Sequence, residues 1–125
     1  MKEYIGTRLP DGSTIVRVRN VPVSGEVTYL LDPRLDIADH SPTGLNWGYS
    51  GSGPAQLALA LAADHLGSDD PPSHITFLLK QEIVRGLPYD GWAFTSGDIN
   101  DVIVDGIHRY HEALKDIEEG VAYEG

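Results

Sequence analysis

A chain of 125 residues with 41% hydrophobic content has the length and apolar content of one ordinary domain. It carries no cysteine, which excludes a disulfide framework and a thiolate metal site. Nine basic against nineteen acidic residues give a formal net charge of −10, which opposes association with nucleic acid.

Twelve of the acids are aspartates and only three residues are lysines, a balance that suits solubility at high salt. Met1–Tyr4 lacks the apolar run of a signal peptide, and no stretch reaches membrane-spanning length. The expected setting is therefore cytoplasmic, away from any membrane.

Tyr4–Leu9 reads as a first strand, and Pro10-Asp11-Gly12 as a tight turn. Thr14–Arg19 alternates, with Val16 and Val18 on one face and Arg17 and Arg19 on the other, Ile15 being set apart from the arginines. A turn at Ser24-Gly25 leads to a third strand, Val27–Leu31. From Leu35 to Asn46 the turn and cap formers Asp36, Asp39, His40, Ser41 and Pro42 predict an irregular loop. Loops of that length are uncommon and often functional.

The loop delivers the chain to Gly48, Gly51 and Gly53, then to Pro54 and an apolar run ending near Leu66. Leucine and alanine alternate from Leu57 to Ala63, and alanine's helix propensity favours a helix over a strand. A helix without a polar face is buried on most sides. Proline suits the first helical position, so Gly53 is expected as the N-cap, with Gln56 reaching back to its amide. Ser52 is the alternative cap. Gly67 is expected as the stop.

The run from Trp47 to Leu61, WGYSGSGPAQLALAL, resembles the signature of a small family of uncharacterised proteins from prokaryotes and their viruses. That family's marker is W-G-Y-x-G-S-G-P-A-Q-L-A-L-A. Ser41–Gly44, Phe77–Val84, Trp92 and Thr95 are similar to its flanking pattern. The resemblance implies a shared fold and transfers no activity.

An acidic connector, Ser68–Pro72, precedes a second helix carrying Ile75, Leu78, Leu79, Ile83 and Val84, with Gly86 as its stop. Asp70 or Ser73 is its expected cap. Gly91–Phe94 reads as a short strand at a sheet edge. Thr95 and Asp98 form a capping-box pair that opens a third helix running toward Asp116. Its expected buried stripe is Ile99, Val102, Ile103, Ile107, Tyr110 and Leu114. Residues 118–125 form an acidic tail that is expected to fray.

The fold class that follows is α+β: an N-terminal antiparallel sheet of three to four strands against three helices, the one after the glycine-rich loop being central and buried. Residues 1–117 make one domain.

A glycine-rich turn at a helix start offers unpaired amides to an anion. Neither a Gly-Lys-Ser/Thr phosphate loop nor a G-x-G-x-x-G fingerprint is present. Ser50 and Ser52 lack the G-x-S-x-G spacing of a serine nucleophile. Trp47 is read as core and Tyr49 as reachable for stacking. His108 and His111 share a helix face, but a zinc site needs further ligands. The expectation is a non-enzymatic binding module with no cofactor, metal or catalytic residue. Tyr49, Ser50, Gly51, Ser52, Gly53 and Gln56 would hold an anionic or nucleotide-like ligand. The alternative is a protein-interaction or inhibitor module of viral or mobile-element type, acting on a protein partner through its acidic surface.

Overall fold

The computed structural model describes residues 1–20 and 27–124, with side chains through residue 117. The expected turn at Ser24-Gly25 lies outside the described residues. Strands β1 (Lys2–Arg8), β2 (Thr14–Asn20), β3 (Val27–Leu30) and β4 (Gly91–Thr95) form one antiparallel sheet in the order β3-β2-β1-β4. Helices α1 (Ser52–Leu66), α2 (Ser73–Glu82) and α3 (Ser96–Glu124) complete an α+β fold.

The register places Tyr4 opposite both Val18 and Phe94, and Gly6 opposite both Val16 and Trp92. Even-numbered positions of β1, β2 and β4 therefore share the core face, because successive side chains alternate. Ile15 consequently sits on the face of Arg17 and Arg19, not apart from them. A Cβ on Gly6 would lie 2.2 Å from the Trp92 ring, so glycine is what lets the indole lie on the sheet. Trp92 stacks on Phe94 (centroids 4.8 Å apart) and meets Trp47 edge-on (5.3 Å). Between β1 and β2, Leu9 N–H donates to the Ser13 carbonyl (2.8 Å), and Gly12 takes φ 89°.

Helix α1 is buried from Gln56 through Ala63 and shares its core with Tyr4, Val16 and Val18 of the sheet. Its N-cap is Gly51, two residues before the expected Gly53. Pro54 still falls in the first turn, where a missing N–H forfeits no helical bond. Gly67 ends the helix in the left-handed conformation, its amide donating to the Asp64 carbonyl (3.3 Å) and Ser68 N–H to that of Ala63 (3.0 Å).

Helix α2 stops at Glu82, so Ile83 falls after the helix and Val84 in a separate 3-10 turn, Val84–Gly86. Its N-cap is Pro72, not Asp70 or Ser73. The capping box of α3 forms: Thr95 N–H donates to Asp98 Oδ2 (2.9 Å) and Asp98 N–H to Thr95 Oγ1 (3.2 Å). The helix then continues past Asp116 to Glu124. Ile99 and Ile103 are buried and Val102 is half-buried, whereas Ile107, Tyr110 and Leu114 of the expected stripe are exposed. Within the domain, only the first part of α3 is covered.

Candidate functional site

The glycines before α1 do two different jobs. Gly44 and Gly48 adopt φ of 102° and 86°, a region that side-chain-bearing residues rarely enter. Gly51 and Gly53 are needed for space. A Cβ at Gly51 would lie 2.6 Å from the Tyr49 ring. One at Gly53 would lie 2.6 Å from Asn46 Cβ and 3.0 Å from the Tyr49 hydroxyl. Tyr49 is thus folded across the start of the helix, yet 48% of it remains exposed.

The geometry brings Tyr49, Ser52 and Gly53 together on the wall of one open cleft of about 670 Å³. Thr14, Ser41 and Thr43 add hydroxyls to that wall. Thr14 donates to the Leu45 carbonyl (2.6 Å), and the Ser41 and Thr43 hydroxyls lie 3.2 Å apart. Val16 and Leu31 add buried apolar surface to the lining. Asp32 is the only charged residue lining the cleft, with no Lys or Arg among the described residues there. Ser50 is exposed and stands outside the lining. Gly51 has no side chain with which to cap the first amides of α1.

Gln56 is not brought to the cleft. It is wholly buried, and its amide is committed to the irregular loop. Its Oε1 accepts from His40 N–H (2.8 Å) and Ser41 N–H (3.1 Å). Its Nε2 donates to the carbonyls of Pro33 (2.6 Å) and Ala38 (3.0 Å). Two donors and two acceptor positions are the full capacity of a glutamine amide. The expected bond from Gln56 to the Gly53 amide is replaced by this clamp, which gives a loop without regular structure its hydrogen bonds.

Two further polar centres were not legible in the sequence. Arg8 donates to the carbonyls of Tyr89 (2.9 Å) and Gly12 (3.1 Å) and to Asn46 Oδ1 (2.8 Å). Its guanidinium also lies 3.9 Å from the Tyr89 ring centroid and 5.0 Å from that of Trp47. Trp47 is buried and donates to the Pro88 and Tyr89 carbonyls, so it offers no stacking platform.

Asp64, near the end of α1, accepts from Lys2 Nζ (3.0 Å) and from the Tyr4 and Tyr29 hydroxyls (both 2.6 Å). Burial pushes its carboxyl upward, but the bonds from Tyr29, Tyr4 and Lys2 outweigh that and hold it below the usual range. Burial and the bond to Asp64 together push the Tyr4 hydroxyl well above its ordinary value. Burial, then the charge on Lys2, lowers neighbouring His65. A carboxylate held by three donors is a tie between β1, β3 and α1, not a free base. Among the described residues there is no group of three or more His, Cys, Asp or Glu able to hold a metal. No helix of the described residues is long and apolar enough to cross a membrane.

Residues 4–105 match a family model described as "Family of unknown function (DUF6166)". The chain belongs to this family. In this DUF6166 chain the matched segment takes in nearly the whole sheet, the cleft, α1, α2 and the opening of α3. It stops before the exposed part of that helix. No curated protein and no solved structure matches the chain.

Proposed function

We propose that this DUF6166 chain is a small binding module whose ligand occupies the cleft at the start of α1. One observation carries this: the cleft's hydroxyl-bearing wall includes Ser52 and Gly53, whose amides open the helix and have no side-chain cap from Gly51. A helix start is worth about half a positive charge. That suits a ligand bearing a single oxyanion.

The absence of Lys and Arg from the described lining, together with the presence of Asp32, disfavours a polyphosphate. The ligand class is therefore a small hydroxylated monoanion, of which a phosphodiester nucleotide is the nucleotide-like member. Tyr49 supplies an exposed aromatic ring for stacking. Ser52, Gly53 and Tyr49 are the binding residues of this reading; Gln56 acts behind them by shaping the loop. The acidic-surface alternative has less geometric support, because Asp36 and Asp69 both pair with Arg34 and Asp64 is enclosed.

The test is a thermal-shift panel of cyclic nucleotides, hydroxy acids and ATP. A ligand at a hundred times its dissociation constant adds about 2.7 kcal/mol of stability. Monoanions should raise the melting temperature and ATP should not. Ser52→Pro removes one amide donor at a position where proline suits a helix. That variant should fold and lose the shift. No shift across the panel would overturn the proposal.

A further inference from the structure

The exposed part of α3 carries a pattern that the domain itself does not use. Ile107, Tyr110, Leu114 and Ile117 follow one another at steps of three, four and three residues. This is the a/d spacing of a coiled-coil seam. They are 43%, 64%, 42% and 62% exposed, and every described side chain from Ile107 to Ile117 is exposed.

Beside the seam runs an apolar groove of about 610 Å³ between α2 and α3, lined by Ile75, Phe77, Leu78, Ile107 and Tyr110 among others. Gly106 brings the two helices close, since a Cβ there would lie 2.3 Å from Leu78 Cδ2. Phe77, on the groove's wall, is 63% exposed.

We infer that the occupant of this surface is a second copy of the chain, docked antiparallel about a two-fold axis near Glu112. Three observations select that occupant. First, the seam is self-complementary when reversed. With the axis at Glu112, Ile107 faces Ile117 of the other copy and Tyr110 faces its Leu114, so all four positions pair at once. Second, Ala113 is small and exposed, and beside the axis of the reversed pair it lets the two helices approach closely. Third, the groove lies at the Ile107–Tyr110 end of the seam and the exposed Leu114 and Ile117 lie at the other, so a reversed copy sets each free end against the other's groove.

The area also suffices. Phe77 and the four seam residues leave on the order of 550 Å² exposed per copy, so a pair that covers them would bury roughly 1,100 Å², above the roughly 1,000 Å² that a specific interface needs. In this arrangement Ile117 of each copy enters the α2–α3 groove of the other.

Sedimentation of the full chain tests the inference. The expected species at micromolar concentration has twice the 13.6 kDa chain mass. Ile117→Glu should raise the dimer dissociation constant at least about tenfold, because each dimer would then bury two unpaired carboxylates. At a dilution where both are single chains, its circular dichroism should match the parent, since the position is exposed in the single chain. The chain has no native cysteine, so single-cysteine variants report the direction. Ala113→Cys, beside the axis, should form a disulfide-linked dimer on oxidation, and Val104→Cys, far from its counterpart, should not. A monomer at high concentration, a dimer unaffected by Ile117→Glu, or preferential cross-linking at Val104→Cys would overturn it.

Discussion

The start of α1 and the far half of α3 are both parts of helices, and they are built on opposite terms. Around α1, polar groups are tied inward: Gln56 makes four bonds to the loop, and Asp64 accepts three from β1 and β3 side chains. Along α3 from Ile107 to Ile117, apolar and polar side chains alike are left exposed. The first region specifies one conformation of one chain. The second has surface to spare, and its stability depends on what covers it.

The largest blow to the first region is Gln56→Leu. It leaves two amides and two carbonyls without their partner in or near the core, each costing about 1–3 kcal/mol when unmet. A loss of about 3–5 kcal/mol in urea unfolding is expected, enough to threaten folding. An unchanged midpoint would show that the clamp is dispensable. Gly6→Ala comes next, because its methyl would collide with the Trp92 ring. Overpacking of this kind costs typically about 1–3 kcal/mol. Loss of native Trp fluorescence alongside the stability change would locate the damage at the aromatic stack.

Asp64→Asn is a smaller and pH-dependent break. The folded Asp64 carboxyl titrates below its ordinary value. Its contribution is therefore fully present above the unfolded carboxylate range, near pH 4, and is lost as pH falls through the folded value. The parent should lose stability on acidification through that window more steeply than Asp64→Asn. Parallel pH profiles would contradict the role given to this tie. Smallest of all is Leu114→Gln in the second region, measured at high dilution where the chain is single. A change within about 0.5 kcal/mol is expected for an exposed site, and a larger loss would mean that α3 is covered within its own chain.

Much of the body was legible because it rests on local rules. The Pro10–Gly12 turn, the Gly67 stop and the Thr95–Asp98 box each follow from residues a few positions apart. Gln56 was misjudged because its partners, Pro33 to Ser41, lie 15 to 23 residues away in a segment without periodicity. The cap fell two residues early because proline is tolerated throughout a first turn, so Pro54 does not fix the boundary. Nothing local marks Asp64 as a tie, since only the strand order brings Lys2, Tyr4 and Tyr29 to it. The α3 stripe was legible as a stripe, yet periodicity identifies an apolar face without saying whether its own chain or another covers it. At the cleft, Tyr49, Ser52 and Gly53 came together as their proximity in sequence suggests, while Thr14, Ser41 and Thr43 arrive only through the fold.

Amide hydrogen exchange at two protein concentrations, a hundredfold apart, tests the contrast most directly. The amides of residues 57–63 in α1 should exchange slowly and equally at both, because their protection comes from the chain's own core. Those of residues 110–121 in α3 should be weakly protected at the low concentration and strongly protected at the high one. Protection of α3 that equals α1 at both concentrations, or that stays absent at both, would contradict the account.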